Sequence, residues 1–325
     1  MKKQLLIAAV AATMTSVAIA DISITGGTKV NFTTVDFDSA TKESTNNFKH
    51  EVDLAITGKT GDTTVVVKLG NLETTADATG VDIEDSYLTT KVSDVSIKAG
   101  SWDNGDNALR ASGRSADKFS ASTTMSGATL TYNASSAAGN VADSVKIAGA
   151  VAGVTASYED TESGETVGLS TSVAGIKVSY LALNSDTAAS DRSVIELSGT
   201  AGGMNIKVAQ ATADASTCIS GNGWMGDFET TASAATCASG TSAYDLSNGQ
   251  DVTSFELSTA MAGNTVTFRN TDVDGVAGSD MSFNKIILNR PLSNGTTFEA
   301  TYTDLDDSVA ANDSSTLDLE LAVKF

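Results

Sequence analysis

The sequence predicts an all-β protein, a transmembrane antiparallel β-barrel of 16–18 strands with short turns at one end and longer loops at the other. Three observations carry that prediction. A glycine turn followed by an alternating strand recurs along the chain, the spacing of those turns matches pairs of membrane-crossing strands, and the last strand alternates up to a terminal Phe325.

Residues 1–20 stand apart from the barrel. Lys2 and Lys3 precede the apolar run Leu5 to Ala12, and Ala18-Ile19-Ala20 closes the segment. That is the charged start, apolar middle and small-residue cleavage site of a secretory signal peptide. The run is far shorter than the ~20 residues of a spanning helix. Cleavage would leave Asp21 first and residues 21–325 as one barrel domain. No later stretch reads as a helical span, so any membrane crossing falls to strands.

Composition narrows the class further. The 325 residues carry 20 Lys+Arg against 40 Asp+Glu, a net charge of −20. Loss of Lys2 and Lys3 leaves 18 against 40, or −22. Phosphate contacts need a basic surface, which excludes nucleic acid as a partner. One Pro beside 28 Gly, with abundant Val, Thr and Ser, favours strands and glycine turns over helices.

The recurring pattern is MSGATLTY (125–132), VAGVTASY (151–158), VAGIKVSY (173–180), TAGGMNIKV (200–208), MAGNTVTF (261–268) and PLSNGTTFEATY (291–302). Two looser copies are TGKTGDTTVVV (57–67) and KVSDVSIKAG (91–100). Glycine and Asn-Gly or Gly-Asp pairs accept the positive φ that tight hairpins require. From Gly127 the steps to Gly153, Gly175, Gly202, Gly263 and Gly295 are 26, 22, 27, 61 and 32 residues. Two tilted strands of ~10 residues cross a bilayer, and the remainder is a loop of variable length. Short uniform turns opposite long irregular loops are the polarity of an outer-membrane barrel. Eight turns join sixteen strands, and a strand left over at each end gives 18, with 16 allowed.

Alternation assigns the two faces of each strand. Val52, Leu54 and Ile56 alternate with Glu51, Asp53 and Ala55, and Phe298, Ala300 and Tyr302 enclose Glu299 and Thr301. If the apolar set meets lipid, Asp53, Lys98, Lys177, Lys207, Glu256, Arg269, Glu299, Asp318 and Glu320 face a lumen. A Lys or Arg on the lipid side at mid-depth would cost ~2–4 kcal/mol. A soluble β-sandwich alternates equally well, but does not need every strand to be about ten residues long.

In the final strand, STLDLELAVKF, Leu317, Leu319, Leu321, Val323 and Phe325 alternate with Asp318, Glu320, Ala322 and Lys324. This resembles the terminal strand of Gram-negative outer-membrane proteins, where such residues are read by the barrel-assembly machinery. With the signal peptide and the hairpin polarity, the whole mature chain resembles the general porin family, and IEDSYLTTKVSDVSIKAGSW (83–102) is similar to the strand pair before its third external loop. The aromatic content of 6% is low for a barrel with two aromatic girdles. The resemblance implies an outer-membrane location, lipid and the assembly machinery as partners, and a homotrimer. It also implies a third loop, Trp102 to Ser115, that folds inward and narrows the pore. Asp103 and Asp106 would form the acidic side of that constriction, with Arg110 and Arg114 either facing them or belonging to the returning strand. A field across such a narrowing orients polar solutes and favours one ion sign.

Cys218 and Cys237 both fall in the one long gap between turns. An even count in an exported chain predicts a disulfide between them. Their loop, 212–250, carries Trp224, Met225, Phe228 and Tyr244 and is a candidate to fold over the pore mouth. The acidic runs TDVDGVAGSD (271–280) and TDLDDSVAANDSS (303–315) offer oxygens to Ca²⁺, but neither matches a twelve-residue calcium loop, so solvated loop is the favoured reading. No metal or other cofactor is expected. The single His50 beside Glu51, without a G-x-S-x-G motif, gives no basis for catalysis.

The sequence therefore predicts an outer-membrane pore that passes small hydrophilic solutes and ions, with mild cation preference from its acidic surplus. The rivals are a secreted β-rich adhesin without a pore and a substrate-selective 18-stranded porin.

Overall fold

Five of the short turns are built on a left-handed pair of residues, while those at Gly61-Asp62 and Ser93-Asp94 have positive φ at the first position alone. Ser126-Gly127, Ala152-Gly153, Ala174-Gly175, Gly202-Gly203 and Ala262-Gly263 all have positive φ at both positions. This is the type I′ geometry whose twist matches the flanking strands. These turns join eighteen strands in a computed structural model that describes residues 21–38, 42–70, 82–103, 109, 114–137, 140–186, 191–214, 251–274, 280–293, 295–307 and 313–325.

In chain order β1 is Asp21–Phe37, β2 Thr45–Thr60, β3 Thr63–Gly70, β4 Asp82–Val92, β5 Val95–Asp103 and β6 Arg114–Met125. They continue as β7 Ala128–Ala137, β8 Asn140–Val151, β9 Val154–Thr161, β10 Gly164–Val173, β11 Ile176–Ser185 and β12 Arg192–Ala201. The last six are β13 Met204–Ala213, β14 Asp251–Met261, β15 Asn264–Asp274, β16 Met281–Pro291, β17 Thr296–Asp307 and β18 Ser314–Lys324. Every neighbour pair is antiparallel, and β1 pairs with both β2 and β18, so the sheet closes on itself. The count is 18, which removes the 16-strand alternative. Among the described residues there is no helix.

The strands run from 8 to 17 residues, beyond the uniform ten expected, because several continue past the apolar band into their loops. Three boundaries shift as a result. Trp102 and Asp103 belong to β5, while Arg114 and Ser115 belong to β6, so the third loop is confined to 104–113. Residues 212 and 213 complete β13 rather than opening the 212–250 loop. Most of the first half of each acidic run is likewise strand, up to Asp274 and Asp307.

One face of the barrel carries exposed apolar side chains. Ile24, Phe48, Leu88, Leu130, Ile147, Leu169, Ile195, Ile286 and Leu321 are all exposed, and register places them on one side of the sheet. Tyr132, Tyr158, Tyr180 and Phe268, each five residues past a turn glycine, stand on that face too. The opposite face is the interior, and it holds the ion pairs and the buried polar residues.

At the loop end of β14 to β17 this pattern inverts. Val252, Val273, Phe283 and Leu305 turn inward and are buried, while Asp272, Asp274, Asp304 and Asp306 on β15 and β17 take the outward positions. Strands that have left a membrane meet water on their outer face, so polar-out and apolar-in becomes the stable arrangement there.

Candidate functional site: the barrel interior

The interior is built from hydrogen-bonded rows that run around the sheet. One row links Lys177 on β11 to Ser198, Lys207, Glu256, Arg269, Lys285 and Thr303 on β12 to β17. Glu256 is gripped from both sides. Arg269 donates from Nε at 3.1 Å and from its terminal nitrogen at 2.7 Å to one carboxylate oxygen, and Lys207 Nζ lies 3.1 Å from the other. Glu256, Arg269 and Lys285 are buried. A buried carboxylate is tolerated when both oxygens find charged donors.

An acidic quarter occupies β17, β18, β1 and β2. Glu299 lies opposite Glu320, with Asp318 two residues away. Asn289 donates to Glu299 at 3.1 Å, Asn31 to Glu320 at 3.2 Å and Thr33 to Asp318 at 2.9 Å. Asp53 lies on the same inner wall next to Glu51, which pairs with Lys29 at 3.0 Å. Across β3 to β6 the wall is cationic and aromatic instead. Lys98 Nζ sits 3.9 Å from the ring centre of Tyr87 and 4.4 Å from that of Trp102, within cation–π reach. Lys118 donates to the Trp102 carbonyl at 2.6 Å, Lys68 pairs with Asp85 at 2.6 Å, and the Asp103 backbone N–H donates to Asp85 at 3.1 Å.

All nine sequence-chosen charged residues from Asp53 to Glu320 therefore lie on the inner face. Of the nine, Lys207, Glu256 and Arg269 form one ion-paired group, while Glu299, Asp318 and Glu320 cluster around a cavity that Lys285 also lines. Sequence reading passed over Lys29, Lys68, Lys118, Lys146 and Lys285, which share this face. The same alternation was available for them. Lys146 pairs with Glu159 at 3.6 Å, and Ser144 bridges Glu159 to Asn133.

Of the constriction residues, Asp103 ends β5 and stands opposite Arg114 in register, which places Arg114 on the returning strand. Asp106 and Arg110 lie outside the described residues, as do Cys218 and Cys237 and the signal segment 1–20. Leu109 was not singled out in sequence. It is 1% exposed and joins a cluster with Val194, Ala209, Ala211, Val252, Val273, Phe283 and Leu305 on β12 to β17. His50 turns outward, with Nε2 2.9 Å from Thr28 Oγ1, and Glu51 turns inward, so the two do not meet. Among the described residues no group of three or more His, Cys, Asp or Glu is arranged to hold a metal.

A closed 18-strand antiparallel barrel with an apolar outer belt, a charged interior and short turns at one end decides the comparison. The fold is that of the outer-membrane porins. No family model and no curated protein matches the chain. Among solved structures, OccAB4 of Acinetobacter baumannii matches over 94% of this chain and 98% of its own, with TM-score 0.66 and 11% identity. A BenF-like porin from Pseudomonas fluorescens Pf-5 matches over 94% and 98%, with TM-score 0.67 and 12% identity. OpdK of Pseudomonas aeruginosa, solved with vanillate, matches over 94% and 98%, with TM-score 0.66 and 10% identity. The porin fold explains the inverted pattern at the loop end, where the barrel rises above its belt.

Proposed function

We propose that the protein is a channel of the Gram-negative outer membrane that lets small hydrophilic solutes and ions pass down their gradients. The observation that carries this is the closed 18-strand barrel with exposed apolar side chains outside and Ser, Thr and ion pairs inside. A barrel of this strand number is wide enough for an aqueous lumen. An adhesin secreted into water would expose that apolar belt to solvent, where extensive apolar patches promote association. Residues 1–20 act as the cleaved export signal, Leu317 to Phe325 as the assembly signal, and Cys218 with Cys237 as a disulfide. The homotrimer implied by the porin resemblance belongs to the same proposal, checked by native mass in detergent.

Mild cation preference arises at the mouths, where the acidic side chains of the strand extensions concentrate. The inner wall itself holds both signs in near balance. Planar-bilayer recording of the purified protein tests the proposal: stable ion-conducting steps are expected, and their absence would refute it. The segregation of an acidic quarter from a cationic, aromatic one favours a second reading, substrate selectivity. Competition by organic acids against ion current distinguishes it from general diffusion. Calcium binding by the acidic runs at 271–280 and 303–315 is a separate proposal, checked by calorimetric titration.

A further inference from the structure

On several stretches of the barrel wall the inward polar side chains satisfy one another. Ser144 meets Asn133 and Glu159, Thr33 donates to Asp318, and Thr267 donates to Ser258 at 3.0 Å. On β9 to β11 a group of five does not. Thr155 and Ser157 on β9, Ser170 on β10, and Lys177 and Ser179 on β11 point inward. Among the described residues their side chains have no hydrogen-bonding or ion-pairing partner. All five line one cavity of about 310 Å³ that opens to the lumen. That volume is near the lower end of the ~300–1,000 Å³ of small-molecule pockets.

Gly168 on β10 forms the floor of this cavity. It stands opposite Ser157 on one side and Leu181 on the other. Its φ lies outside the left-handed region, so the backbone would accept any L-residue. What a side chain there would remove is space. A Cβ would stand 2.6 Å from Ser157 Oγ and 3.7 Å from Leu181 Cδ1. Glycine inside a strand weakens it and often marks close approach by a ligand. The remaining lining sets the chemistry. Leu181 and Val194 supply an apolar flank, while Lys177 and Glu196 supply one charge of each sign. Hydroxyls that both donate and accept match a solute whose own hydroxyls do the same. The apolar flank suits the C–H face of a ring, and the opposite charges give neither an acid nor an amine a net attraction.

We propose that this wall of β9 to β12 is a subsite for an uncharged polyhydroxylated solute of monosaccharide size. The four hydroxyls and Lys177 take over hydrogen bonds that such a solute gives up to water, and Gly168 leaves room for its ring. This rests on the channel reading, and the test separates the two. Methyl α-glucoside is the probe, followed by saturation-transfer NMR in a detergent without sugar headgroups and by block of ion current in bilayers. Saturable transfer from the parent is expected, with current falling over the same concentrations. Benzoate and butylamine at equal concentration should leave the transfer signal unchanged. Ser170→Ala with Ser179→Ala should raise the half-saturating concentration about tenfold, since two hydrogen bonds are lost. Gly168→Val should abolish binding by filling the floor. Ser258→Ala, where the hydroxyl is already paired, should bind like the parent. Folding of each variant is scored by heat-dependent migration on gels. Absence of transfer from the folded parent overturns the proposal, as does unchanged half-saturation in the folded double serine variant or in folded Gly168→Val. Displacement of the glucoside by benzoate or butylamine, or equal weakening in Ser258→Ala, overturns it as well. A parent that never conducts refutes the channel reading, while the transfer measurement still judges the subsite.

Discussion

Phe325 closes the barrel on Gly26. The Gly26 N–H donates to the Phe325 carbonyl at 2.9 Å and the Phe325 N–H donates back at 3.0 Å. The ring fills the space a side chain at residue 26 would need. A Cβ there would stand 2.8 Å from ring atom Cζ and 2.6 Å from the Asp53 carbonyl oxygen. The terminal aromatic is thus a packing partner of the first strand as well as an end signal.

Gly26→Ala should therefore impair closure. Overpacking at a backbone contact costs about 1–3 kcal/mol, and the aromatic ring must leave its place. A reduced yield of folded, heat-modifiable barrel is expected, with Phe325→Ala showing a similar loss. Assembly of Gly26→Ala at the parent's yield would contradict the docking.

Glu256 is the hinge of the buried charge row. Glu256→Ala leaves Arg269 buried without its carboxylate, which costs about 3–5 kcal/mol for a broken buried pair. A large fall in the urea midpoint is expected. The double variant Glu256→Leu with Arg269→Met should recover much of that loss, because apolar replacement of a buried pair is near neutral. A double variant as unstable as the single would show that the cost lies elsewhere.

Three turns hold alanine where glycine is easier. Ala152, Ala174 and Ala262 have φ near +50°, a conformation that costs an L-residue roughly 1–2 kcal/mol. Ala174→Gly should raise the unfolding free energy by up to about 1 kcal/mol, after the greater entropy of the unfolded glycine is subtracted. Gly202-Gly203 is the same turn already in that form. A drop in stability would mean that the alanine methyl makes a contact worth more than the strain.

Ion selectivity should depend on salt. The acidic surplus lies largely at the loop end in water, where screening acts over ~10 Å at 0.1 M and ~3 Å at 1 M. Reversal potentials across unequal KCl should show cation preference near 0.1 M that fades by about 1 M. Anion preference at low salt would show that the lysines of the inner wall dominate instead.

Strand number, turn positions and the two faces at membrane depth were legible in the sequence because each rests on a local rule. Ala174-Gly175 marks a hairpin by what its φ angles demand, and Val154, Ala156 and Tyr158 mark an outward face by period two. The partners of Glu256 could be guessed only as a class. Lys207 and Arg269 lie 49 and 13 residues away, and antiparallel register alone sets them on either side of it.

By itself, the sequence determined a closed-barrel pattern, its polarity and the inward placement of charge wherever the outside is lipid. Only the tertiary structure decided where that rule ends. In β15, Val266 and Phe268 point outward while Val273 on the same strand points inward. Past the apolar belt the outer face meets water, so Asp272 and Asp274 take it and the valine seeks cover. The cover includes Leu109, which joins the same buried cluster. Alternation records that two faces differ, and the solvent at each height determines which of them must be apolar.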